Sequence, residues 1–299
     1  NITLLFLLLF FCSNPSIASE IKFIAVSDVH ISYNKNVVNK ETGLTQSIKN
    51  LQKAVHQINS SDCDFVVFTG DVIDKTNKKN LALFAKIINK LKKPYYTTAG
   101  NNDVSQVSSL DKKEFFQLLN LYSRNKTRRT PCVIKKSQGL VFIMMDGVNQ
   151  FIPMPNGNYK EEELIWLNKQ LKKYKNRKVV IIQHFPVVEP TPKESLKTHN
   201  ADKYLELISK HKNVLAIISG HYHKENLQEV NGVYHISLPS LADSKEYEEI
   251  TIEKDKNNYK KSDFSTLEEK EDNGSHKVQT SDKTDKTDKT DKTDKTEEK

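Results

Sequence analysis

The sequence predicts an α/β protein with mixed β-sheets covered by helices. Three observations lead there. Short, wholly apolar runs that read as buried strands alternate with segments whose apolar residues recur every three or four positions. The pair Asn231-Gly232 separates two alternating segments, which is a hairpin signature. No internal repeat interrupts this alternation except a polar one near the C-terminus.

Residues 21–27 form a compact apolar run and are predicted as the first strand. Leu44, Ile48, Leu51, Val55 and Ile58 fall on one face of a helix predicted over 44–58. A second buried strand is predicted over 65–69, an amphipathic helix over 81–91 and a third strand over 95–99. Residues 113–121 read as a helix, and 133–145, broken by Ser137-Gln138-Gly139, as a hairpin. Leu164, Leu167 and Leu171 line a helix predicted over 159–174. Glu161, Glu162 and Glu163 lie near its N-terminal end, where the helix dipole favours negative charge. Buried strands are predicted over 179–183 and 214–219, with a helix over 201–211 between them and a last strand over 249–253.

Both ends are expected to lie outside this fold. Ile2 to Cys12 is almost unbroken apolar sequence, followed by Ser13-Asn14-Pro15-Ser16-Ile17-Ala18. The run is too short to cross a bilayer, which takes about 20 residues. It reads as a secretory signal over 1–19, cut near Ala18, and predicts an exported protein, secreted or periplasmic. Lipid attachment at Cys12 is disfavoured by the bulky Phe11 before it. The folded domain is predicted over 20–255, with no transmembrane span. From 256 to 299 the chain is polar and contains Asp-Lys-Thr five times in succession, so a disordered low-complexity tail is expected.

Composition excludes several classes. Lys and Arg number 46 against 38 Asp and Glu, a net charge of +8. The lysines are spread along the chain rather than clustered, so no specific nucleic-acid binding is predicted. Nine Gly and nine Pro exclude collagen-like architecture, and three Cys exclude a disulfide scaffold. Cys63 and Cys132 remain after removal of the signal and are available to pair in an oxidising compartment.

The chemistry sits where the strands stop. Five apolar strands end abruptly in polar clusters: Ser27-Asp28-Val29-His30, Gly70-Asp71-Val72-Ile73-Asp74, Gly100-Asn101-Asn102-Asp103, His184, and Gly220-His221-Tyr222-His223. Singly, each has a bland explanation as a turn or a core histidine. Together they place potential ligands at the carboxyl ends of strands, where α/β sheets bind their ligands. Asp28, His30, Asp71, Asn101, His184, His221 and His223 offer too many donors for one tetrahedral ion and suit two ions sharing a carboxylate. Imidazole and oxygen donors without thiolate favour manganese, iron or zinc.

This combination, Asp-x-His, Gly-Asp-x-x-Asp, Gly-Asn-x-Asp, His and Gly-His-x-His, resembles the calcineurin-like metallophosphoesterases over about residues 21–254. The resemblance implies a four-layer α-β-β-α sandwich of two mixed sheets with a dinuclear metal centre at the strand ends. It implies that Asp28, His30 and His223 hold one metal, that Asp71 bridges, and that Asn101, His184 and His221 complete the second. Asp74 resembles a residue that orients a ligand from behind. The family usually has His after Gly-Asn, where it contacts phosphate and assists the leaving group; here Asn102 takes that place. Asn can donate a hydrogen bond to a phosphoryl oxygen but cannot deliver a proton at neutral pH.

The function this implies is hydrolysis of phosphodiester bonds, with phosphomonoesters second, by in-line attack of a hydroxide bridging two cations. Small-molecule or lipid-headgroup phosphoesters are the expected substrates, and sphingomyelinase-like phosphodiesterases fit an exported protein. Purple acid phosphatases carry Tyr where this chain has Asp74, and Ser/Thr protein phosphatases carry Arg-bearing motifs that are missing. The proline-bearing stretch 185–200 is expected to rim the cleft, with His199 on it as a surface histidine. The rival reading is a metal-binding, catalytically weakened interaction module on the same fold.

Overall fold

The computed structural model describes residues 19–33, 45–108, 110–123, 127–135, 140–149, 151, 154–255 and 258–266. The expected signal segment up to residue 18 and the Asp-Lys-Thr repeats lie outside the described residues.

Within them, each predicted element is found. The first half contains β1 (Ser19–Val26), α1 (Gln46–Ser60), β2 (Phe65–Phe68), α2 (Lys78–Ile88), β3 (Tyr95–Thr97) and α3 (Lys112–Tyr122). The second half contains β4 (Cys132–Lys135), β5 (Leu140–Met144), α4 (Glu161–Lys173), β6 (Lys178–Ile182), α5 (Ala201–Ser209), β7 (Val214–Ser219), β8 (Asn226–Val230), β9 (Val233–Ser237) and β10 (Glu248–Asp255). Helix α2 begins three residues earlier than its apolar pattern, because the Asn77 side chain accepts from Lys79 N and Asn80 N and caps it there. Asp111 and Glu114 close a reciprocal capping box at the start of α3. At the β8–β9 turn, Asn231 and Gly232 both take positive φ, as a two-residue hairpin of this type requires.

One expectation is corrected. The polar segment after residue 255 contributes a further strand, β11 (Asn258–Thr266), antiparallel to β10. Composition argued against order there, but the free edge of β10 offers backbone donors and acceptors that need no apolar side chain.

Two mixed sheets result. One has the order β11-β10-β1-β2-β3, the other β4-β5-β6-β7-β9-β8. Strands β1, β2 and β3 are mutually parallel, as are β5, β6, β7 and β9. Alternation along the strands defines the layers. Phe23, Phe65, Val67, Phe142, Val180, Ile182 and Ile218 meet in one apolar cluster between the sheets. Ile24, Val26, Val66, Phe68, Val141, Ile143, Val179 and Ile181 turn the other way, into the cluster that holds Leu51, Phe84, Phe115, Leu164, Leu167 and Ile208 from the helices. Helices therefore cover both outer faces, as the four-layer expectation required. Cys63 and Cys132 are free, buried thiols in different apolar clusters. Among the described residues no helix is long and apolar enough to cross a membrane.

Candidate metal centre

The loops leaving the parallel strands are tied together by their backbones. Asp28 N donates to Gly70 O (3.2 Å), His30 N to Asp71 O (3.0 Å) and Gly220 N to His184 O (3.0 Å). Asp28, His30, Asp71, His221 and His223 all hold φ between 47° and 73°. Non-glycine residues seldom occupy this left-handed region, and they persist there only when their surroundings over-determine them. The glycines of the motifs make room. A Cβ at Gly100 would stand 2.1 Å from Asp71 Oδ1, and one at Gly220 would stand 1.8 Å from Ser27 Oγ.

Two groups of donors form. Asp28, His30 and His223 bring one ligand atom each within 4.8 Å of one another, and so do Asp71, His184 and His221. In the first, His30 Nε2 and His223 Nε2 face each other at 3.1 Å, with Asp28 Oδ1 at 3.3 Å from the latter. In the second, His184 Nε2 lies 3.5 Å from Asp71 Oδ1 and 3.2 Å from Asn101 Oδ1. His184 Nδ1 is 3.0 Å from Thr69 O. A carbonyl only accepts, so Nδ1 carries a proton and Nε2 is the atom turned to Asp71 and Asn101.

The donor set fits a pair of cations. Asp28 Oδ1 and His221 Nε2 are buried without a hydrogen-bond partner, one in each group. Buried polar atoms are normally paired, and a cation is the partner that an oxygen anion and an imidazole lone pair share. Asp28 is otherwise held in place, its Oδ2 accepting from Ser27 Oγ and His221 N.

The charges agree with this reading. Burial works to raise the Asp28 and Asp71 carboxyls, yet both are held below their ordinary range by the neighbouring imidazoles. Burial opposes the charge of His184 and His223, but Asp71 lifts the former and Asp28 and Asp243 the latter, each to about 9. His221 is lowered to about 4 by burial and by the charge at His184. The carboxylates thus draw protons into positions that cations would otherwise take.

All seven sequence-predicted ligands converge. Asn102 also reaches the site, but its side-chain amide donates to Asp71 Oδ2 (2.6 Å) and its backbone N to Asp71 Oδ1 (2.8 Å). The amide assigned to a substrate phosphate thus holds the Asp71 carboxylate in this structure. Asp74 is half-buried, and its side chain makes no hydrogen bond to any of the seven ligands. The carboxylate that ties these loops is Asp103, fully buried, accepting from Ile73 N (3.1 Å) and Gly100 N (2.7 Å). His199 is exposed, its N donating to Gly157 O. Sequence reading missed Asp103 and Asp243 as supports. Asp103 stood in a motif already noted, whereas nothing local marks Asp243.

Comparison with known proteins agrees with this architecture. Residues 21–225 match the calcineurin-like phosphoesterase family. The chain is 26% identical over 206 residues to a probable glycerophosphodiester phosphodiesterase of Arcobacter nitrofigilis, covering 67% of this chain and 71% of that protein. It is 22% identical over 227 residues to the 3',5'-cyclic adenosine monophosphate phosphodiesterase of Haemophilus influenzae, covering 74% and 76%. A dimetal phosphatase from Danio rerio shares the fold, with a TM-score of 0.62 at 17% identity over 82% of this chain and 98% of that one. Since the match runs from β1 through the loop that bears His221 and His223, and takes in every candidate ligand, the chain belongs to the calcineurin-like phosphoesterase family of phosphoester hydrolases.

Proposed function

We propose that this phosphoesterase cleaves phosphodiesters, with Asp28, His30 and His223 holding one cation, His184, His221 and Asn101 a second, and Asp71 shared between them. The observation that carries the reading is the convergence of two donor groups, each with a buried ligand atom that makes no hydrogen bond. Cations bound there supply Lewis acidity toward phosphate oxygens and toward water. Mixed imidazole and oxygen donors make manganese, iron or zinc the suitable metals. Similarity to a probable glycerophosphodiester phosphodiesterase and to a cyclic-nucleotide phosphodiesterase supports diesters over monoesters.

The protein's own residues position and restrain. Thr69 O fixes the Nδ1 proton of His184, so that Nε2 faces Asp71 and Asn101. Asn102 grips both oxygens of Asp71 and so sets the direction of the shared carboxylate. Asn102 has no proton to give, so the leaving group departs without help from this position. Where protonation matters, the lack of a general acid costs about 10²–10⁴-fold. Substrates with acidic leaving groups are therefore favoured, and simple alkyl diesters are slow.

The test is hydrolysis of bis-p-nitrophenyl phosphate with added manganese. Turnover is expected in the wild type and background release in Asp71→Ala, with methyl p-nitrophenyl phosphate cleaved only at its nitrophenyl ester. A fully metallated wild type that hydrolyses nothing in a broad phosphoester panel would overturn this reading and favour the metal-binding interaction module, for which Asn102 is the motive.

A further inference from the structure

We infer that Asp243 is a positioning residue that aims His223 at the first cation, an inference that rests on the reading of Asp28, His30 and His223 as ligands. Asp243 Oδ2 lies 2.6 Å from His223 Nδ1. The opposite ring nitrogen, Nε2, is the one that meets His30 Nε2 and Asp28 Oδ1. A carboxylate accepting from Nδ1–H keeps the proton on that side and leaves the Nε2 lone pair directed into the group.

An exposed ion pair by itself contributes little, because water and side-chain freedom compete with it. Here the carboxylate is delivered by a fixed loop. Ser240, fully buried, donates its hydroxyl to Asp28 O (3.1 Å) and accepts from Asp243 N (3.2 Å). Leu241 N donates to Ser27 O (3.0 Å) and Ala242 N to Asp28 O (3.2 Å). Asn50, buried on α1, donates to Leu241 O and Ala242 O. The segment after β9 is therefore stitched to the same residue, Asp28, that shares the first group with His223. The backbone that carries Asp243 is thus fixed beside the ligands, while its carboxylate is two-thirds exposed.

The two groups solve one problem in two ways. In the buried group a backbone carbonyl, Thr69 O, holds the Nδ1 proton of His184. In the first group His223 is one-third exposed, so water competes for its Nδ1–H. A charge-assisted acceptor withstands that competition where a neutral carbonyl would not. Asp243 lies twenty residues beyond His223, past the β8–β9 hairpin.

The experiment measures manganese binding to the whole metal-free protein by calorimetry, with electron paramagnetic resonance to count the sites. Variants are Asp243→Ala, Asp243→Asn, His223→Ala, the double variant, and Glu246→Ala as a control on the same loop. Asp243→Ala is expected to weaken one of two manganese ions by about 10–100-fold. Asp243→Asn, which keeps an acceptor, should recover part of this, and Glu246→Ala should match the wild type. In the double variant Asp243→Ala should add nothing to the loss from His223→Ala, since it acts through that ring. Wild-type affinity in Asp243→Ala beside a weakened His223→Ala overturns the positioning inference and leaves the ligand reading intact. Additive losses overturn it as well. Wild-type binding by His223→Ala overturns the ligand reading and the inference together. Among the described residues the Asp243 side chain bonds to His223, an exposed pair, so Asp243→Ala should lower the metal-free melting temperature only slightly while Glu246→Ala leaves it unchanged.

Discussion

Five ligand residues held at positive φ carry a cost of about 1–3 kcal/mol each, which the surrounding contacts must offset. Asp103 is one source of that offset. Its two carboxylate oxygens take the N–H groups of Gly100 and Ile73, locking the loop after β3 to the loop after β2. Burial and the nearby Asp71 push its carboxyl well above the ordinary range, so this group sits there at an electrostatic disadvantage. Asp103→Ala strands two buried donors and should cost about 3 kcal/mol in urea unfolding. Asp103→Asn keeps one acceptor and should cost about half as much. The sequence drew attention to Asp74 because its motif spacing matched; the structure gives the work to Asp103, because only a carboxylate between both loops can serve two donors at once.

At the scale of elements, helix α4 carries a titration that should be measurable. Glu163 accepts from Lys160 N at the helix start, and burial, followed by the charge of Asp146, raises its carboxyl to about 7. A carboxyl raised on folding favours the folded state while it is protonated. Its contribution is fully present below the unfolded value near 4.5 and is lost as pH climbs through about 7. The loss is of order 2 kcal/mol. Glu163→Gln should remove this component, so that its stability relative to wild type rises between pH 5 and pH 8; parallel pH–stability curves would contradict it. The elements themselves were legible in the sequence, since period-two and period-3.6 patterns are local. Their ends were less so, because Asn77 and Asp111 cap through side-chain bonds that apolar periodicity does not register. Strand β11 escaped notice for a related reason: its partner is the backbone of β10.

For the molecule as a whole, the decisive contact is sheet against sheet. Phe23 and Phe65 stack at 5.1 Å, and Phe142 from the opposite sheet meets them edge-on at 5.3 and 5.0 Å. Phe142→Ala should cost about 3–5 kcal/mol. It should also weaken manganese binding, because each donor group draws on both sheets; thermal melts with and without manganese would show both effects. Asp28 and His30 follow β1 while His223 follows β7, and Asp71 follows β2 while His184 and His221 follow β6 and β7.

The sequence by itself determined the elements, the kind of chemistry and the ligand types, because strand patterns and strand-end motifs are written within a few consecutive residues. Only the tertiary structure decided that Asn102 grips Asp71 and that Asp103 and Asp243 stand behind the ligands. Those facts depend on side-chain direction and on contacts between residues as much as 214 positions apart, from Asp28 to Ala242, which no local pattern encodes.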